Sequence, residues 1–97
     1  MVLDSAAREV LLDGRPVELT TIEFDILRAL MEAAGRVLSR DAIMEALYQR
    51  KSSPFDRAID VHVSHLRRKL ETSRPLIRTV RGVGYQFCRD AADGADT

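Results

Sequence analysis

Apolar positions in this chain change their spacing several times, and the changes mark its elements. Arg8–Leu12 and Arg15–Leu19 alternate apolar with polar residues on either side of Asp13-Gly14, the period-two pattern of a tight hairpin. Val2–Asp4 can add a short strand ahead of it. The spacing then lengthens to three and four. Thr20 is the expected N-cap of a first helix, Glu23 closes a capping box, and Leu19 with Phe24 can form a hydrophobic staple. Phe24, Leu27, Leu30 and Met31 share one face of this helix, Ile26 lies beside them, and Gly35 ends it. Arg36–Leu38 reads as a short extended connector. Ser39 then caps a second helix, running to about Tyr48, with Ile43, Met44 and Leu47 inward.

A third helical pattern covers Asp56–Glu71. At about 100° per residue, Ile59, Val63, Leu66 and Leu70 fall in one narrow stripe, the expected core face. Opposite lie Arg57, Val61, Ser64 and Arg68, flanked by Ala58, His65 and Glu71. Asp60 and Arg67 share one flank, and His62 and Lys69 the other. Asp56 is the expected N-cap, and Pro54 and Pro75 bound the segment. Leu76–Val80 and Tyr85–Cys88 then read as strands around the turn Arg81-Gly82-Val83-Gly84, whose two glycines allow positive φ. Nothing continues this lone G-x-G toward a dinucleotide fingerprint. Tyr85 and Phe87 share a strand face and suit packing of the hairpin.

Strands, helix, helix, loop, helix and hairpin, in that order, describe an α+β winged helix-turn-helix with an N-terminal antiparallel sheet, three helices and a C-terminal β-hairpin wing. The 97 residues suit one domain with one modest core, 45% of them apolar. We expect residues 1–90 to form this domain and 91–97 a frayed, acidic tail. No apolar run approaches membrane-spanning length and no signal peptide is visible. The single Cys88 offers no disulfide framework, so a cytoplasmic setting is expected.

The net charge is zero, yet its distribution is uneven. Met1–Asp56 holds seven basic and ten acidic residues, whereas Arg57–Arg81 holds seven basic and two acidic. That local net +5 suits a polyanion, although a charged helix face can also be simply solvated. The outward face of the third helix argues further. It alternates Arg with short Ala, Val and Ser, plus His65, so the backbone can approach a groove while Arg and His supply donors. Arg81 at the hairpin tip is free to reach a minor groove. The loop Gln49, Arg50, Lys51, Ser52, Ser53, Pro54 and Phe55 exceeds the usual short turn between such helices, which suggests a second contact surface for another protein.

LTTIEFDILRAL, GRVLSRDAI, DRAIDVHVSHLRRKLE and IRTVRGVGYQF occur in order across Leu19–Phe87, and together they resemble the C-terminal effector domain of OmpR/PhoB-type response regulators. The PFDRAIDVHVSHLRRKL stretch looks most like the CpxR type. The resemblance implies the third helix in the major groove and the wing at the minor groove. It implies a 49–55 loop facing RNA polymerase, and two copies in tandem on direct repeats. It also implies a receiver domain in the full-length protein, which this chain has no room for before Leu19. The family's sheet usually has four strands, and with about 19 residues before the first helix the first strand would be shortened or missing. By position, the resemblance carries DNA contacts to Arg57, His62, Ser64, His65, Arg67, Arg68, Thr79 and Arg81. Relatives often carry Arg, which reads a guanine, at the position of His65, so the resemblance leaves the preferred base open. Relatives can place a longer basic residue where Ser64 stands, and serine there would remove one phosphate contact.

Other readings of these residues find less support in the sequence. A winged-helix protein-interaction module without specific DNA binding should show a second apolar stripe on the third helix, which is absent. His62 and His65, three apart, could share an ion, but tight metal sites need three or four ligands. No catalytic constellation and no cofactor are implied. Asp60 beside Arg67 could be an ion pair aiming the Arg at phosphate, or a solvated surface pair.

Overall fold

The structure is a computed structural model that describes residues 2–4, 6–49, 59–70 and 76–88. The expected cap Asp56, the flanking Pro54 and Pro75, Arg57 and Ala58, Glu71, residues 50–55 of the loop and the 91–97 segment lie outside the described residues.

Strands β1 (Val2–Asp4), β2 (Glu9–Leu12) and β3 (Arg15–Val17) form an antiparallel sheet in that order. Asp13 and Gly14 both take positive φ, 52° and 80°, the conformation of a two-residue hairpin turn that matches strand twist. The register aligns Leu3, Val10 and Val17 in one row, and all three pack into the core. A slip of one residue would turn that row to solvent. The strands are shorter than the alternation suggests, because Arg8 turns with φ 52° and β3 stops at Val17.

Helix α1 (Thr21–Glu32) starts as its sequence dictates. The Glu23 backbone N–H donates to Thr20 Oγ1 at 3.1 Å and the Thr20 N–H donates to Glu23 Oε1 at 3.0 Å. Phe24, Ile26, Leu27, Ala29 and Leu30 are buried, and Met31 packs at the edge. Asp25 is buried too, 3.4 Å from the Arg8 guanidinium, which also lies 4.5 Å from the centre of the Phe24 ring. That contact ties the first sheet to α1.

The wing differs from the sequence reading. Arg36–Leu38 is not merely a connector: Val37–Ser39 is strand β4, paired antiparallel with β6 (Gly84–Phe87), which pairs in turn with β5 (Ile77–Val80). The order β4-β6-β5 makes a three-stranded sheet with β6 at its centre. The Gly35 N–H donates to the Phe87 carbonyl, and the Gln86 side chain donates to the Gly35 carbonyl, fastening the link between α1 and β4. At the tip, the Val83 N–H closes the turn onto the Val80 carbonyl and Gly82 takes φ +76°. Gly84 needs its glycine for another reason. The β4 backbone passes so close that a Cβ would sit 2.0 Å from the Leu38 carbonyl oxygen.

Helix α2 (Arg40–Gln49) is capped by Ser39, whose Oγ accepts the Ala42 N–H at 3.0 Å, and it buries Ile43 and Leu47. Gln49, read from the sequence as the first loop residue, is instead the last residue of α2, because a polar residue without Gly or Pro carries no local signal to stop a helix. Helix α3 (Ile59–Lys69) buries Ile59, Val63 and Leu66, with Leu70 just beyond. One cluster joins these residues with Leu27, Leu30, Ile77, Tyr85 and Phe87. Each such side chain contributes about 1.5–3 kcal/mol, so the buried stripe fixes which face of α3 is left outside. Among the described residues no helix is long and apolar enough to cross a membrane.

Candidate nucleic-acid interface

The strip of α3 opposite its buried stripe is open. Val61 is 50% exposed, and Ser64, His65 and Arg68 are exposed, while His62 is half-buried on the flank. The short Val61 and Ser64 therefore share this open strip with the longer His65 and Arg68, as the helical wheel anticipates. Arg81 is exposed on the turn between β5 and β6, next to Val83 at 50% exposure.

Asp60 and Arg67 do not pair with each other. They share a flank but lie seven residues apart, about 10 Å along the axis, beyond ion-pair reach. A wheel shows angle and hides that rise. Each residue instead holds the wing. The Arg67 guanidinium donates to the Ile77 carbonyl at 3.2 and 3.3 Å and to Thr79 Oγ1 at 2.6 Å. Asp60 accepts from Arg40 Nε at 2.8 Å and from the Tyr85 hydroxyl. The guanidinium carbons of Arg40 and Arg67 lie 5.4 and 5.6 Å from the centre of the Tyr85 ring, within cation–π range.

These contacts set the charges. The Tyr85 hydroxyl and the Arg40 guanidinium hold the Asp60 carboxyl below its usual range. Burial and the Asp60 carboxylate push the Tyr85 hydroxyl up. Around neutral pH the cluster is therefore a carboxylate, a neutral phenol and guanidinium groups.

Glu23 holds the other flank. Lys69 Nζ donates to its Oε1 at 2.6 Å, and His65 Nδ1 lies 3.9 Å from Oε2. Burial works to raise this carboxyl's pKa. The Lys69 hydrogen bond, the Thr20 N–H and the charges of Lys69 and His65 outweigh it and hold the group below the usual range. One carboxylate, 2% exposed, thus caps α1 and anchors the end of α3. Its pKa is depressed on folding, so its contribution is complete above the ordinary glutamate pKa of about 4.3 and is lost as pH falls through the lowered value. Glu23→Gln keeps the capping geometry but removes the charge. It should cost about 1 kcal/mol at pH 7, because Lys69 is part-exposed and screened, and it should flatten the acid limb of the melting temperature against pH. A melting curve series from pH 7 to pH 3 that is parallel in both proteins would count against this role.

The sequence reading had no place for Arg40, for the link from Lys69 to Glu23, or for the Tyr85 hydroxyl. It named Arg67 and Thr79 as separate contacts, and the structure pairs them. Among the described residues, no group of three His, Cys, Asp or Glu is placed to hold a metal ion.

A three-helix unit with an open basic helix face and a hairpin tied along its flank defines a winged helix-turn-helix domain. Residues 14–87 match the family model described as "Transcriptional regulatory protein, C terminal", and the chain belongs to that family, which is one of transcription regulators and not of enzymes. It is 49% identical over 83 residues to the response regulator protein PmrA of Pseudomonas aeruginosa, covering 86% of this chain and 37% of PmrA. It is 41% identical over 88 residues to the transcriptional regulatory protein CpxR of Escherichia coli, covering 88% of this chain and 38% of CpxR. The CpxR likeness is thus one of several. The chain spans little more than a third of the length of these curated relatives. The crystal structure of the Klebsiella pneumoniae RstA DNA-binding domain in complex with the RstA box superposes with a TM-score of 0.75 at 39% identity, covering 90% of this chain and 89% of that one.

Proposed function

We propose that this domain binds double-stranded DNA in a sequence-specific manner to regulate transcription, with α3 in the major groove and the β5–β6 hairpin at the minor groove. The observation that carries the reading is the strip Val61, Ser64, His65 and Arg68, which the core leaves open and which has the width and chemistry of a groove-reading surface. The likeness to a DNA-binding domain crystallised on its box supports it. Val61, Ser64, His65 and Arg68 form the reading face, His62 its flank, and Arg81 the wing contact. Arg57 and Ala58 extend the same face on the helical wheel. Arg67 and Thr79 enter as a pair, with the Arg held by the wing it stands beside.

The test is selection of bound sites from random duplexes at two salt concentrations. A defined motif, with affinity that falls steeply as salt rises, is the expected result. Recovery of unselected sequence would refute specific readout.

The wider setting belongs to the same proposal. The full-length protein would be a cytoplasmic response regulator with a phosphorylatable receiver domain. Its 50–55 loop, with Gln49 at the end of α2 leading into it, would face RNA polymerase, and two copies would bind direct repeats about one helical turn apart. The spacing of selected half-sites tests the tandem arrangement. Loop variants that keep DNA affinity but lose transcription activation would support the polymerase contact, and loop variants that lose DNA binding would refute it.

A further inference from the structure

The wing meets α3 through polar contacts as well as through the shared core, and one of those contacts is not required by the packing. Tyr85 is buried in the face of β6 that looks toward α3, and its ring fills space as a phenylalanine would. Its hydroxyl does something a phenylalanine could not. It reaches Asp60 in the first turn of α3, 25 residues away. Two turns further along the same flank, Arg67 holds β5 through the Ile77 carbonyl and Thr79. The wing is therefore held from two α3 residues about 10 Å apart along the helix axis, and they take one strand each: Asp60 meets Tyr85 of β6, and Arg67 meets Ile77 and Thr79 of β5. One pin leaves the wing free to swing about it, whereas two fix its direction. Arg81, at the wing tip, hangs from the two strands these pins hold.

We propose that the Tyr85–Asp60 hydrogen bond is a positioning strut: it fixes the angle of the wing against α3, so that the Arg81 contact with DNA reaches full strength only when the hydroxyl is in place. This inference rests on the DNA-binding reading and deepens it, because it names residues that act through the wing and not by touching DNA. Arg40 completes the strut. Its Nε bonds the same Asp60 oxygen, which balances a carboxylate that would otherwise face a polyanion. Without the strut the wing remains folded on its ring packing, but Arg81 samples a range of positions and its contact is weakened by that spread.

The experiment is a double-mutant cycle on affinity for the selected duplex, with thermal unfolding measured alongside. Tyr85→Phe keeps the ring and should leave the melting temperature within a few degrees, while lowering affinity about three- to tenfold. Arg81→Ala should lower affinity about tenfold in the wild-type background, and no more than about twofold in the Tyr85→Phe background. Asp60→Asn retains an oxygen acceptor for the hydroxyl and should restore most of the Arg81 dependence, whereas Asp60→Ala should not. A purely structural role for Tyr85 would shift stability and leave the cost of Arg81→Ala equal in both backgrounds, and that equality would overturn the strut while leaving DNA binding intact. If wild-type protein retrieves no motif at all, the DNA-binding reading fails and the strut fails with it.

Discussion

Replacing Gly84 with alanine is expected to be the most damaging single change in the wing, costing on the order of 3 kcal/mol or more. The Cβ would land 2.0 Å from the Leu38 carbonyl oxygen and 2.8 Å from Ser39 Cα. Both obstacles are backbone, so no side chain can rotate away. Relief requires β4 and β6 to part, which breaks the pairing that aligns Leu38 with Tyr85 and Ser39 with Gly84. Tyr85 and Phe87 would then lose the packing that seats the wing on α1 and α3. For a domain of this size the melting temperature should fall by more than about 10 °C. Gly82→Ala is the control. That glycine sits in the turn just before β6 and has φ +76°, but nothing lies within 4 Å of its Cβ direction. It should cost only about 1 kcal/mol, the usual penalty for a non-glycine residue in the left-handed region. Thermal unfolding of the two variants decides the matter: equal losses would mean that β4 does not run against β6 as described.

Those two glycines show how far a sequence can be read. Both stand out in Arg81-Gly82-Val83-Gly84, and positive φ is the natural reason to give for each. It is right for Gly82 and wrong for Gly84, because a close approach by a strand more than 40 positions upstream leaves no local mark. The same limit hid β4: three residues, Val37-Leu38-Ser39, are too few to display a period. It hid the reach of Lys69 to Glu23 and of Tyr85 to Asp60, which span 46 and 25 positions. Asp60 and Arg67 failed differently, since a shared angle on a helical wheel was read as proximity. What was legible is what local physics decides. The buried and open faces of α1 and α3 follow from spacing alone. The Thr20–Glu23 box and the Asp13-Gly14 turn follow from side-chain chemistry at fixed offsets. The open strip of α3 was legible for the same reason: a face is exposed when its opposite stripe is strong. Its partners on the wing were not.

Arg68→Ala should produce the largest loss of DNA affinity of any change on the reading face, on the order of 1–3 kcal/mol, while altering stability by less than about 0.5 kcal/mol. The two effects separate because Arg68 is exposed and, among the described residues, makes no hydrogen bond or ion pair that folding would miss. Its neighbour is the contrast. Arg67→Ala removes the bonds to Ile77 and Thr79, so it should lower stability and affinity together. Affinity for the selected duplex and for an unrelated one, each measured across salt, reveals what Arg68 touches. If it reads a base edge, the loss falls on the selected duplex and Arg68→Lys does not rescue it, because only the planar guanidinium matches guanine in two places. If it meets a phosphate, both duplexes lose affinity, the logarithmic salt dependence drops by about 0.9, and Lys rescues much of the effect. Either pattern places Arg68 in the groove. Unchanged binding to both duplexes would place it outside, and with it the strip on which the proposed function stands.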